Sequence, residues 1–251
     1  MNQAKIALVS GAAGAIGFES ALALGRCGTR LILLDRSEQV NEAAVTLCAK
    51  GMQAEAIVAD LADLQQITDA TTHILEQTGG IDILVNNAGI HPKVNGYIAT
   101  FEEITVEDWE RVFRINATAP FLLCQRFLGP MKKKKWGRII NISSRSARAY
   151  SERAGTHYSA SKAALIGMTR KIAGDYAAFG ITANCIAPGQ IMTALARQSA
   201  PEVLAEAIRR IPAQRIGTAA EVASAVVYLS SEEASFVNGT VIDMNGGETM
   251  V

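Results

Sequence analysis

Two short stretches of this chain carry residue types whose spacing suits chemistry. The first is Ser10-Gly11-Ala12-Ala13-Gly14-Ala15-Ile16-Gly17, which leaves an apolar run and opens a helical pattern. Glycines at 11, 14 and 17 permit a tight turn, close backbone approach to a ligand and intimate helix–strand packing. The first helical turn, around Ile16, then offers unpaired N–H groups and a partial positive charge to a pyrophosphate, which points to a dinucleotide. The second stretch is Tyr158-Ser159-Ala160-Ser161-Lys162, in which Tyr158 and Lys162 stand four apart on one helix face. A phenol titrates near pH ~10 and is a poor base at neutral pH. A neighbouring ammonium, and the positive ring of an oxidised nicotinamide, would stabilise the phenolate and lower that value. Ser144 ends an apolar strand, where its hydroxyl either binds a substrate oxygen and shares a proton with Tyr158 or only turns the chain.

Further candidates lie where strands end. Asp35 comes 18 residues after Gly17. It either accepts the hydroxyls of an adenosine ribose and repels a 2′-phosphate, favouring NAD(H) over NADP(H), or opens the next helix with Ser37. Arg36 works against that preference, since it can pair with a phosphate. Asp60 and Leu61 can bracket adenine, and Asn87, Ala88 and Gly89, after Asn86, either line the cofactor or buttress neighbouring strands. Asn116 continues the stripe Trp109, Val112, Phe113 on a helix's apolar face. Pro120, four residues on, has no N–H for the Asn116 carbonyl, so the pattern predicts a kink and a free carbonyl suited to an ordered water. A purely structural amide is the other reading.

These residues need a frame. Strand patterns at 5–9, 31–34, 55–58, 83–85, 138–142, 182–186 and 240–243 alternate with helical patterns at 15–25, 38–50, 64–77, 107–132, 157–179, 201–211 and 218–230. Nearly continuous apolar strands joined by helices predict an α/β fold, a doubly wound parallel sheet covered on both faces, in one domain over residues 1–251. Twenty-four basic residues balance 24 acidic ones, which excludes the net basic field of a nucleic-acid binder. No apolar stretch approaches the ~20 residues of a membrane span, and no signal-peptide pattern opens the chain. Cys27, Cys48, Cys124 and Cys185 have neither metal-site nor Cys-x-x-Cys spacing and are expected as reduced core residues, without a metal, in a cytoplasmic protein.

Together, the Gly-rich turn, Asn86-Asn87-Ala88-Gly89, Asn116, the Tyr158/Lys162 pair and Pro188-Gly189 resemble the short-chain dehydrogenase/reductase family over the whole chain. The resemblance implies a seven-stranded Rossmann-type sheet, a nicotinamide cofactor and a homotetramer built on the fourth and fifth helices. It implies that Ser144 orients substrate, Tyr158 is the acid/base, Lys162 binds the nicotinamide ribose and tunes Tyr158, and Asn116 supports a proton-relay water. It also implies that the segment from Pro188 and Gly189 contacts the nicotinamide, with Ile191 and Thr193 holding its carboxamide. Three departures stand out: Ser10 replaces a usual threonine, Asn245 replaces a usual aspartate, and Ser144 precedes Tyr158 by 14 residues rather than the usual 13. The extra residue leaves Ser143 and Ser146 as rivals to Ser144.

The loop from Ser144 to Tyr158 carries Arg145, Arg148 and Arg153 against Glu152 alone, with His157 at its end. With His91, Lys93 and Gln190 nearby, these cations suit a small polar hydroxy compound bearing an acidic group, such as a sugar acid; alternatively they face water or another subunit. Residues 194–211 resemble the family's mobile substrate lid. The expectation is an NAD-dependent oxidoreductase interconverting secondary alcohol and ketone. The alternatives are a 3-oxoacyl-thioester reductase using NADP and a non-catalytic NAD-binding regulator.

Overall fold

A computed structural model describes residues 4–93, 97–192 and 201–251. Seven parallel strands form its centre: β1 (Ile6–Ser10), β2 (Arg30–Asp35), β3 (Ala54–Val58), β4 (Ile83–Asn86), β5 (Gly137–Ile142), β6 (Ile181–Pro188) and β7 (Val241–Met244). They lie in the order β3-β2-β1-β4-β5-β6-β7. The chain reverses direction across the sheet between β1 and β4, and at such a point the loops beyond the strands' carboxyl ends part to leave a crevice. Ser10, Asp35, Asn86, Ile142 and Pro188 end five of the strands on that edge.

Strand alternation builds two cores. Ile6, Leu8, Ile32 and Leu34 turn to one face, where they meet α3 (Leu64–Thr78), α5 (Ala119–Lys134) and α6 (Thr156–Tyr176). Ala7, Val9, Leu31 and Leu33 turn to the other, against α1 (Ala15–Arg26), α2 (Gln39–Ala49) and α8 (Ala219–Ser230). Because both faces are covered, the central strands are buried throughout, which is why they read as unbroken apolar runs. Helices α4 (Val106–Phe113) and α7 (Pro201–Arg209) complete the described helices. Thr218 and Glu221 form the capping box that their spacing predicts at the start of α8. No described helix is long and apolar enough to cross a membrane.

Three expectations need correction. The predicted helix over 107–132 is divided: a π-helical turn, Arg114–Thr118, joins α4 to α5. This extra residue per turn takes up the expected break and places Pro120 in the opening turn of α5, where proline is tolerated. Trp109, at the head of the predicted apolar stripe, is partly exposed and stacks on Phe113 with ring centroids 4.8 Å apart. Only Cys124 and Cys185 belong to the core; Cys27 and Cys48 are exposed at or near helix ends. The chain leaves α1 and α2 there, so neither thiol can be covered from both sides.

Candidate active site

The glycine-rich turn is held from β4. Asn87 donates through Nδ2 to the carbonyls of Ser10 and Gly11, each at 3.0 Å, while the Ser10 hydroxyl accepts the N–H groups of Asn87 and Ala88, each at 3.1 Å. Ser10 therefore ties the two loops with the hydroxyl that threonine would supply. A Cβ at Gly17 would lie 2.2 Å from the Gly11 carbonyl oxygen, so only glycine lets the helix start this close to the turn. Gly14 caps α1 without a side-chain hydrogen bond and no acidic side chain occupies the first turn, so the backbone N–H groups there stay available to an anion.

Beside this turn lies a slot of about 130 Å³ lined in part by Gly11, Asp35, Arg36, Asp60, Leu61 and Ala88. Asp35 is held by two backbone donors. One carboxylate oxygen accepts Ala13 N–H and the other Ser37 N–H, each at 3.0 Å, which fixes the carboxylate on the slot's wall. Arg36 is exposed. Asp60 accepts Ala62 N–H at 2.9 Å and Leu61 is buried behind it. A donor-rich helix start, a turn that side chains would block and an adjoining slot with a fixed carboxylate fit the expected dinucleotide.

The slot adjoins a larger cleft of about 410 Å³, with Gly89 and Ile90 on both walls. Ile16, Asn87, Ser144, Tyr158, Lys162, Pro188, Gly189, Gln190 and Ile191 line it. The first turn of α6 brings Tyr158 to the wall, and the next turn brings Lys162, whose side chain is buried. Lys162 Nζ donates to Ile142 O at 2.8 Å and stands 5.9 Å from the centre of the Tyr158 ring. A Cβ at Gly89 would come within 3.0 Å of that ammonium, so the small residue gives Lys162 its room. Burial lowers the Lys162 pKa to about 8. Burial holds the Tyr158 pKa above its ordinary value, and hydrogen bonding with Ser144 offsets only part of that rise. The ammonium is aimed at the Ile142 carbonyl, on the same cleft wall as the phenol.

Ser143, Ser144 and Ser146 all line the cleft, with different hydrogen-bond partners. Ser143 is buried and its hydroxyl is engaged in donating to Lys162 O at 2.8 Å. Ser144 is partly buried and receives hydrogen bonds from Ser146 N at 3.2 Å and Ser146 Oγ at 3.0 Å. Asn116 is fully buried in the π turn. Its amide holds Ile90 and also donates to Ser161 Oγ at 3.0 Å, and Ser161 in turn donates to Tyr158 O at 2.8 Å. Ser161 and Ile90 were absent from the sequence-based candidates. Ser161 follows Tyr158 by three residues, and that helical spacing was the one available signal.

The arginines part company. Arg153 lines the cleft, and among the described residues no carboxylate pairs with it. Arg145 also lines it, but its guanidinium lies 3.2 Å from the Glu248 carboxylate. Arg148 is off the cleft: it pairs with Asp243 at 3.1 Å and donates to the Val251 carbonyl at 2.9 Å. His157 is likewise off the cleft, buried and packed against Gly155, because the start of α6 turns it away as it turns Tyr158 inward. His91 lines the cleft and Lys93 is exposed. Thr193 lies outside the described residues, as do residues 194–200 of the segment likened to a lid; the rest of that segment holds α7.

A family model described as enoyl-(acyl carrier protein) reductase matches residues 11–249. An uncharacterised oxidoreductase of Thermotoga maritima is 37% identical over 99% of each chain. A Brucella melitensis 3-oxoacyl-[acyl-carrier protein] reductase with bound NAD is 32% identical, covers 100% of this chain and 93% of its own, and superposes with a TM-score of 0.92. A Beutenbergia cavernae protein, provisionally assigned as an NAD(P)-dependent gluconate 5-dehydrogenase and holding NADP at low occupancy, is 36% identical over 97% of this chain and 96% of its own, with a TM-score of 0.89. Sequence and fold thus agree along the chain, which belongs to the short-chain dehydrogenase/reductase family of nicotinamide-dependent oxidoreductases.

Proposed function

We propose that residues 1–251 act as one catalytic domain, an NAD-dependent dehydrogenase interconverting a secondary alcohol and a ketone on a small, polar, acidic substrate. The observation that carries this reading is the meeting of Tyr158, Lys162 and Ser144 on one cleft that runs into the glycine-rich turn. A bound nicotinamide supplies the hydride acceptor in oxidation and the donor in reduction. Tyr158, as phenolate, takes the alcohol proton in oxidation and returns it to the carbonyl oxygen in reduction. Ser144 holds that oxygen beside the phenol, and Lys162 supplies the positive field that favours the phenolate once its own side chain contacts a ribose. Asn116 fixes Ile90 and Ser161 around them.

Asp35 supports NAD, since a fixed carboxylate on the adenosine wall repels a 2′-phosphate. Arg153 supports an acidic substrate: it is the cleft arginine without a carboxylate partner among the described residues, and a guanidinium grips a carboxylate with two parallel hydrogen bonds. The homotetramer belongs to the same reading. Val106, Trp109 and Phe121 leave apolar surface exposed on α4 and α5, which a neighbouring subunit would cover. A second reading, a 3-oxoacyl-thioester reductase using NADP, is favoured by the activity named for the Brucella relative. A screen of sugar acids, polyols and 3-oxoacyl thioesters with NAD(H) and NADP(H) separates the two. Turnover of hydroxy acids with NAD(H) supports the first; efficient thioester reduction with NADPH alone overturns it.

A further inference from the structure

Tyr158 has a neighbour that the reaction scheme above does not use. The ring of His91 stacks on the phenol ring with centroids 4.4 Å apart and planes 30° from parallel. Loop residues 87–91 carry it there from the end of β4, across the cleft mouth from the start of α6. Its Nε2 accepts the N–H of Gly155 at 3.3 Å, so the loop before α6 is clipped to the loop after β4 through this one imidazole. A nitrogen that accepts carries no proton, and in a neutral imidazole the hydrogen then resides on Nδ1. Among the described residues no acceptor meets Nδ1, and the ring lines the cleft.

The charge state agrees with that tautomer. Burial, reinforced by repulsion from His157 and Lys93, lowers the His91 pKa to about 4. The ring is therefore neutral at working pH. A neutral ring would meet an acidic substrate as a donor rather than a cation, with the positive charge supplied by Arg153.

We propose that His91 is a positioning and specificity residue: its ring braces the phenol of Tyr158, and its Nδ1–H donates to an oxygen on the carbon next to the reacting carbinol. The proposal rests on the dehydrogenase reading for the identity of the acceptor. The stack sets the imidazole beside the phenol on the same cleft, so a substrate held at the Tyr158 hydroxyl would present its neighbouring carbon on the side that His91 lines. A substrate with a hydroxyl there gains a hydrogen bond; one without it leaves a partly desolvated donor unpaired, which is the more discriminating case. The preferred class is thus a vicinal dihydroxy or hydroxy-keto acid, gripped at its carboxylate by Arg153.

Two measurements test this. The chain has three histidines, so long-range 15N–1H spectra of histidine-labelled protein are readily assigned by comparison with His91→Phe. His91 should show the neutral Nδ1–H pattern between about pH 5.5 and 9, and its Nδ1 resonance should move when NAD and 2,3-dihydroxybutyrate are added. An Nε2–H pattern, or a titration centred near ~6.5, overturns the proposal. The second measurement compares kcat/KM for 2,3-dihydroxybutyrate and 3-hydroxybutyrate, which differ by one hydroxyl beside the reacting carbon. His91→Phe keeps an aromatic ring over Tyr158 but removes the donor, and should lower the ratio of the two values about tenfold, chiefly through KM. An unchanged ratio overturns the specificity role. If the wild-type protein oxidises neither acid, the substrate class fails while the tautomer spectrum still decides the state of His91.

Discussion

Asn116 grips Ile90 from both sides: its Oδ1 accepts Ile90 N–H at 2.8 Å, and its Nδ2 donates to Ile90 O at 2.9 Å. One side chain thereby completes a backbone pairing between the π turn and the loop that carries Gly89 and His91. The same amide reaches Ser161 on α6, so three elements of the cleft are registered by one buried group.

Asn116→Ala should therefore act on stability and geometry together. It removes the partners of a partly buried backbone N–H and carbonyl, and the expected cost is about 1–2 kcal/mol in urea unfolding. Turnover should fall further than stability explains, because the wall carrying His91 loses its anchor. A variant with native stability and native rate would show that Ile90 finds another partner.

Lys162 makes stability depend on pH in a defined direction. Its folded-state pKa is lowered from 10.5 to about 8, so between these values the unfolded chain binds the proton and the folded chain does not. Stability from this group therefore rises as pH increases from about 8 toward 10, and the full cost of burying the ammonium is carried below 8. The buried thiols of Cys124 and Cys185, with pKa values raised to about 12 and about 11, act in the opposite sense. The informative quantity is the difference between wild type and Lys162→Met, which should shrink by on the order of 1–3 kcal/mol across that window in urea titrations of the cofactor-free protein. A constant difference would mean that the ammonium is not penalised by its site.

Much of this arrangement was legible in the sequence, for reasons that differ from element to element. Strands β1, β4 and β5 showed themselves because burial on both faces demands unbroken apolar runs. The glycine-rich turn and the Tyr158/Lys162 pair were legible because their geometry is local: a tight turn and one helical turn. The π turn was hidden, since Pro120 announces a missing hydrogen bond without saying how the helix absorbs it. The fate of the arginines was hidden for a different reason. Arg145 and Arg148 are claimed by Glu248 and Asp243, about a hundred residues along the chain, and charge counting in the loop itself cannot register partners that only the fold delivers.

Asp35 should set the coenzyme preference. Replacing it by Ser removes the carboxylate, and Arg36 is then free to meet a 2′-phosphate. Fluorescence titration of Asp35→Ser should show the NAD to NADP affinity ratio falling at least about tenfold. An unchanged ratio would place discrimination elsewhere on the slot.

Two of the three loop arginines, Arg153 and Arg148, should separate cleanly. Arg153→Ala is expected to raise KM for an acidic hydroxy substrate about tenfold or more while leaving a neutral diol little affected. Arg148→Ala, which removes contacts to Asp243 and Val251, should lower the melting temperature and leave the acid-to-neutral ratio unchanged. Equal behaviour of acidic and neutral compounds in Arg153→Ala would remove the anionic substrate from the account.

The central claim is that the Tyr158 phenol moves the proton. The most direct measurement is turnover of Tyr158→Phe alongside its NAD affinity and thermal melting. The account predicts an intact fold, NAD binding within a few-fold of wild type and kcat reduced by at least about a hundredfold. A folded, NAD-binding Tyr158→Phe protein turning over near the wild-type rate would contradict it.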